Sequence, residues 1–452
     1  MKKRNTRKKR VKKGGAKAKY PNKVGFQAVY DMIIANGSQL SVLTTSSLKG
    51  FMVKLDINKL DISAYKTENE VPITSYILKF VILTESVVNL GSYYGNTKQS
   101  ETREDFIGEA KLQQLIWQSS IEGDREEICP SVANLTICNN TGGKLLLNKL
   151  LTLPNIKNTE LERLFIYLRT SMSSNRGLGI ITMPNILGAK TLNAYIKESK
   201  NVTNINEKIT KELFNLQAKI HLAAQVIMLF VELCVINFDL HSGNTLVYID
   251  SNKIKTRLID FGRASDICST DVKDYLTIDK KAPINRVAVV FYERLENLLS
   301  LDSITNNEKR QFVRDILNYL IGIDTENNRR YGKIFAQMGW LNDIIGNDDS
   351  CLAVFNLFDT ISTKKQSGLT EEKIQKYTER NVFQNLDNPD TYVQNKELGF
   401  SSASQNESYH SSVASSQNSD FFNSQEASVA SSQGELDSVA SSQGELNSMA
   451  SS

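Results

Sequence analysis

Ile236-Asn237-Phe238-Asp239-Leu240-His241-Ser242-Gly243-Asn244 and, sixteen residues after Asn244, Asp260-Phe261-Gly262 are the stretches that decide how this chain is read. Between them lie two apolar runs separated by Asp250-Ser251-Asn252, a pattern that predicts two short strands joined by a tight turn. Such a hairpin returns Asp260 to the side of Asn244. The residue types suit phosphoryl transfer. That chemistry needs a carboxylate to orient an attacking hydroxyl and accept its proton, and oxygen ligands for the Mg²⁺ that neutralises the phosphates. Asp239 fits the first requirement, and Asn244 with Asp260 fits the second. An Asp followed five positions later by Asn is a common accident, whereas Asp-Phe-Gly is expected in roughly one such chain in twenty. Found together and in this order, they carry weight that neither has alone.

Upstream, Ile209, Leu213, Leu216, Ile220, Ala223, Ile227, Phe230 and Cys234 recur at steps of three and four, which predicts one long helix with an apolar face. Segments 287–301 and 309–323 read as further helices. Before about residue 185 the pattern differs, with short β-rich runs at 40–43, 51–55, 76–83 and 179–183. The chain therefore predicts an α+β fold. A small strand-rich lobe spans 21–184 with an insertion near 119–165, and a larger helical lobe spans 185–365.

Over roughly residues 37–365 these motifs resemble the catalytic core of the protein kinase superfamily. Asp239 to Asn244 match its catalytic loop, and Asp260-Phe261-Gly262 match its Mg²⁺-binding triplet. With Glu109-Ala110-Lys111-Leu112-Gln113 and Ile128-Cys129-Pro130-Ser131, the ensemble is similar to divergent Ser/Thr kinases of large DNA viruses. The resemblance implies a bilobal kinase-like fold, serine/threonine protein kinase activity, and ATP with Mg²⁺ as cofactors. It implies that Lys79, in the apolar run Tyr76-Ile77-Leu78-Lys79-Phe80, holds the α- and β-phosphates, and that a glutamate on the next helix pairs with it. Thr102-Arg103-Glu104-Asp105 reads as a helix start, and Glu109, one turn inside, suits that role better than Glu104. Met183 and Ile186, after the last small-lobe run, are expected to offer their backbone to adenine.

The chain also departs from the family's pattern. In place of a glycine-rich phosphate cover it has Thr44-Thr45-Ser46-Ser47-Leu48-Lys49-Gly50, with one glycine, so hydroxyls such as those of Thr45 and Ser46 become the expected phosphate caps. The catalytic triplet reads Asn237-Phe238-Asp239, without the arginine that pairs with a phosphorylated activation loop. His241 stands where Ser/Thr kinases carry a lysine. Asp-Leu-His-x-Gly-Asn resembles aminoglycoside and choline phosphotransferases, so His241 is a candidate either for contact with the γ-phosphate or for orienting its own loop. At most Ala282-Pro283-Ile284 represents the family's peptide-positioning Ala-Pro-Glu. The alternative readings are a small-molecule or lipid kinase, and a pseudokinase scaffold.

The 452 residues include 54 Lys+Arg and 50 Asp+Glu, a formal net charge of +4 that sums unlike parts. Residues 1–20 hold 11 basic groups and no acid, and residues 401–452 hold 6 acids and no base. The first is expected to be a disordered arm that binds nucleic acid or an import receptor, or only solubilises. The second repeats SVASSQGELD at 428–437 as SVASSQGELN at 438–447, and predicts a disordered tail after a linker beginning at 366. With three His and no CxxC pair, neither a zinc site nor a disulfide framework is expected. The longest apolar stretch, 222–236, falls short of the about 20 residues of a membrane span, and no apolar run follows the basic start as in a secretory signal. The resulting expectation is an intracellular protein, cytoplasmic, nuclear or carried in a virion, acting on a protein substrate.

Overall fold

The run Ser75–Thr84 (SYILKFVILT) is the longest strand among the described residues, buried along nearly all its length, with Lys79 as its one charged residue. A strand apolar on both sides of its pleat has to be covered on both faces. The computed structural model describes residues 32–34, 40–44, 47–57, 74–122, 126–267, 284–300, 304–330 and 337–361. Thr45, Ser46, Ala282, Pro283, the basic segment 1–20 and the segment 366–452 lie outside them.

The small lobe's sheet contains β1 (Leu40–Thr44), β2 (Gly50–Asp56), β3 (Ser75–Thr84), β7 (Asn134–Cys138) and β8 (Gly177–Pro184), in the order β1-β2-β3-β8-β7. The short β6 (Glu101–Thr102) pairs in parallel with the end of β3. A separate hairpin joins β4 (Asn89–Tyr93) to β5 (Asn96–Gln99). One face of the sheet carries α1 (Arg103–Glu122), whose Phe106 and Ala110 pack with Val81, Leu83, Ile181 and Met183. The other face carries α2 (Asn140–Thr152) and α3 (Glu160–Ser171), which bring Leu146, Leu147, Leu164 and Phe165 against Phe51, Val53, Tyr76 and Phe80. These two helices lie between β7 and β8 in the chain, so the connection between those strands covers a sheet face that would otherwise be wet.

The large lobe follows β8. Its elements are β9 (Lys190–Thr191), α4 (Leu192–Lys200), α5 (Ile205–Leu233), β10 (Val235–Asn237), β11 (Thr245–Asp250), β12 (Lys253–Leu258), β13 (Ala264–Asp266), α6 (Ile284–Ser300), α7 (Asn306–Arg330), α8 (Asn342–Ile345) and α9 (Asp348–Ile361). The fold is α+β and bilobal, a strand-rich small lobe followed by a helical large lobe. Its large core is built around α5, with Phe230, Phe312, Phe355 and Phe358 buried together. Asn204 starts α5 by accepting the amides of Asn206 and Glu207 at 2.9 and 3.2 Å, and Cys234 ends it in the left-handed conformation at φ 54°.

Two expectations change. Ile209 and Leu213, counted on the apolar face of α5, are 52% and 55% exposed, and the continuous buried stretch begins only at His221. An 18-residue window of α5 has a mean hydropathy of 1.4, enough to cross a membrane by length and composition, but 78% of it is buried inside the protein. Core packing accounts for that apolarity. Cys129, Cys138 and Cys351 are buried thiols outside any disulfide, whereas Cys234 is disulfide-bonded, a bond that the scattered cysteine spacing did not predict.

Candidate active site

Lys79 lies opposite Met52 of β2 and Ile181 of β8, so two flanking strands hold its backbone. Its Nζ donates to Glu109 Oε1 at 2.5 Å and to Asp260 Oδ1 at 3.3 Å. Glu109 sits in the second turn of α1, whose start is capped by Thr102 accepting the amide of Asp105 at 3.1 Å, and Glu104 is exposed. Burial works against the Lys79 ammonium, but the carboxylates of Asp260, Glu109 and Glu101 outweigh it and raise its pKa, so it stays charged. Burial pushes the Glu109 carboxyl up to about 7, only partly opposed by Lys79 and reinforced by Asp260 and Glu101. The Lys79 charge holds Asp260 below the usual carboxylate range against its own burial. Three acids thus crowd one lysine, and of Glu109 and Asp260 it is Asp260 that keeps its charge more firmly.

Asp260 is brought there by the predicted hairpin. β11 and β12 pair from Thr245–Leu258 to Asp250–Lys253, and the turn residues Ser251 and Asn252 have φ of 50° and 63°, the two-residue turn that matches strand twist. The Ile259 amide then donates to the Asn244 carbonyl at 3.0 Å, which sets Asp260 beside Asn244. Asp260 itself is left-handed, at φ 62°, a conformation that Asp tolerates better than most residues. A Cβ on Gly262 would sit 3.2 Å from Glu109 Oε2 and 3.4 Å from Asp260 Oδ1, so glycine lets this loop approach α1 closely.

The loop before β11 is held from several sides. Asn244 Nδ2 donates to the Asp239 carbonyl at 3.0 Å and to Asp239 Oδ2 at 3.2 Å. His241 Nδ1 accepts the Gly243 amide at 3.0 Å, which places the proton of the neutral ring on Nε2. His241 therefore orients its loop. Trp340 Nε1 anchors the Leu240 carbonyl at 2.8 Å. Met183 lies in β8 opposite Ile77, with its side chain buried and its sulfur 3.1 Å from Gln113 Nε2, while Ile186 follows the strand in a half-buried turn.

Sequence reasoning missed two members of this site. Asn237, counted as a departure where the family has histidine, accepts the Asp239 amide at 2.9 Å and donates to the Asp260 carbonyl at 3.2 Å, tying both carboxylate-bearing loops together. Arg263 has Nη1 3.4 Å from Asp239 Oδ1. Its position is set by backbone: the Phe238 amide donates to the Arg263 carbonyl, and β10 pairs with β13 through Asn237–Ala264. The only available signal was adjacency to Asp260-Phe261-Gly262.

Among the described residues no group of three or more His, Cys, Asp or Glu side chains is placed to hold a metal ion. The donor set at Asn244 and Asp260 is an amide oxygen and an ionised carboxylate on adjoining backbone. That set fits Mg²⁺, which is commonly bound by one or two protein ligands with phosphate oxygens and water completing its shell. No family model and no curated protein matches the chain. Matches among solved structures include WaaP in complex with acyl carrier protein, at 11% identity and a TM-score of 0.27, covering 67% of this chain and 92% of that one. A score that low fixes no correspondence of residues, so the chemistry of this site stands on its own geometry.

Proposed function

We propose that this chain is an ATP- and Mg²⁺-dependent phosphotransferase of the serine/threonine protein kinase type, transferring the γ-phosphate to a protein hydroxyl. The observation that carries the reading is the Lys79 ammonium bridging Glu109 and Asp260, next to an Asp239 that is clasped by Asn244. Four elements far apart in sequence converge to make it. Lys79, fixed by Glu109, binds phosphate oxygens as a point charge. Asn244 and Asp260 would hold Mg²⁺, which when bound supplies charge neutralisation on the phosphates. Asp239, with one oxygen on Asn244 and the other facing Arg263, is oriented to accept the proton of an attacking hydroxyl. His241, with Nδ1 occupied by the Gly243 amide, offers Nε2–H as a donor near the same loop.

The test is transfer of label from γ-labelled ATP to a panel of protein, aminoglycoside and choline-like acceptors. Labelled Ser or Thr in protein, with Asp239→Asn reducing turnover by roughly 100-fold or more, is the expected outcome. Labelled small molecules alone would move the assignment to the phosphotransferases that Asp239-Leu240-His241 also resembles. Equal labelling by wild type and variant would remove the mechanism, and no Mg²⁺-dependent turnover on any acceptor would leave a scaffold.

A further inference from the structure

Beside the Lys79–Glu109 pair stands a second one. Lys49, just before β2, has its Nζ 3.1 Å from Glu101 Oε1, and the two side chains are 33% and 1% exposed. Both pairs share one electrostatic neighbourhood, since Glu101 acts on Lys79 and on Glu109, and Lys49 acts on Asp260. The next residue packs on the Lys79 side chain: a Cβ on Gly50 would meet Lys79 Cε at 3.2 Å and Cγ at 3.3 Å. Lys49 is therefore one residue from the backbone that packs on Lys79 and within electrostatic reach of Asp260. Glu101 is buried with Oε2 unbonded, an arrangement tolerated because its other oxygen holds a cation.

The turn that carries Lys49 is held by the β4–β5 hairpin. Lys98, at 1% exposure, donates from Nζ to the Ser47 carbonyl and lies 4.6 Å over the Phe51 ring. The adjacent Gln99 amide donates to the Leu48 carbonyl at 3.0 Å. A glycine-rich turn gains its phosphate contacts from mobile backbone amides that must order around the ligand. This turn is ordered beforehand by another strand, which lowers the ordering cost of binding.

We propose that Lys49 is a second phosphate-binding cation of the nucleotide site, oriented by Glu101 and held in place by the β4–β5 hairpin. The inference rests on the phosphotransferase reading and deepens it. The ammonium has three donors, of which Glu101 engages one, so Lys49 contacts a phosphate without abandoning the buried acid. Charge from a side chain thereby replaces the backbone amides that the missing glycines would have supplied.

Calorimetric titration of the full chain with ATP, ADP and adenosine, each with Mg²⁺, tests this. Lys49→Ala is expected to weaken ATP and ADP roughly ten- to hundred-fold, the worth of one charge-assisted hydrogen bond, and to leave adenosine unchanged. Lys49→Arg, which keeps the charge, should bind ATP close to wild type. Unchanged ATP affinity in Lys49→Ala, or equal loss for adenosine, overturns the inference. If Asp260→Asn meanwhile loses the Mg²⁺ dependence of ATP binding, the phosphotransferase reading survives that failure. Wild-type protein that binds no ATP overturns both.

Discussion

At Asp239 the cation comes from an unexpected place in the chain. Phe238, where the family's triplet has arginine, is 4% exposed and packed in the large core, and His241 has its Nδ1 engaged by its own loop. Arg263 supplies the charge instead, at 3.4 Å, from a backbone position pinned by the Phe238–Arg263 hydrogen bond. Arg263 stands directly after Asp260-Phe261-Gly262 and before β13, and backbone bonds hold it there. Arg263→Ala is accordingly expected to lower kcat roughly ten-fold or more while KM for ATP changes little, because the lost contact is to the base rather than to the nucleotide. Arg263→Lys should recover part of kcat. Steady-state kinetics at saturating Mg²⁺ decide it, and an unchanged kcat in Arg263→Ala would make the ion pair ornamental. Spacing drew attention to Asp239, Asn244 and Asp260, the family resemblance drew it to Lys79 and Glu109, and the fold brings these side chains near one another. Asn237 and Arg263 were hidden because their meaning lies in which backbone they face, and no spacing encodes that.

Among elements, legibility followed locality. The β11–β12 hairpin and α5 were readable because a two-residue turn and a 3.6-residue period are properties of neighbouring residues. The β4–β5 hairpin and the covering pair α2–α3 were not, since what they do depends on contacts with strands far away in sequence. The same holds for Glu126, which gathers His221 of α5 at 3.1 Å and, from β12, Lys255 at 2.9 Å and Arg257 at 3.4 Å. Burial would raise this carboxyl, but hydrogen bonds and charge from His221 and Lys255 bring it down to about 2. A carboxylate whose folded pKa is depressed stabilises the protein above its unfolded value, and that contribution disappears as pH falls through the folded value. The window here runs from about 4.5 down to about 2, and the full contribution is on the order of 3 kcal/mol. Glu126→Gln should therefore be less stable at neutral pH, with a shallower loss of stability on acidification than wild type. Denaturant unfolding at a series of pH values measures this, and parallel curves for the two proteins would deny Glu126 the role.

Among the described residues the two lobes have separate cores, joined by α1 and by a few ion pairs. Ile116 and Trp117, at the far end of α1, belong to the core of the large lobe, while Phe106 and Ala110 near its start belong to the small one. The helix that carries Glu109 is thus rooted in both lobes. The Leu258 amide adds a 2.7 Å bond to the Ile128 carbonyl. Beside the Glu126 cluster stands the bridge from Lys79 to Asp260, two groups of opposite charge drawn from β3 and from the loop after β12, at the place where the phosphates and Mg²⁺ are proposed to bind. A ligand that engages both groups binds the folded, closed arrangement and not the unfolded chain, so it stabilises the protein by mass action. At about 100 times its dissociation constant, Mg²⁺-ATP should add about 2.7 kcal/mol, seen as a rise of a few degrees in the unfolding midpoint. ATP with a chelator should give a smaller rise, because Asp260 then faces the phosphates without a cation between them. In Asp260→Asn the difference between the two conditions should vanish. Identical shifts with and without Mg²⁺ in the wild-type protein would mean that the nucleotide is held by lysine side chains without the metal, and would withdraw the metal from Asn244 and Asp260.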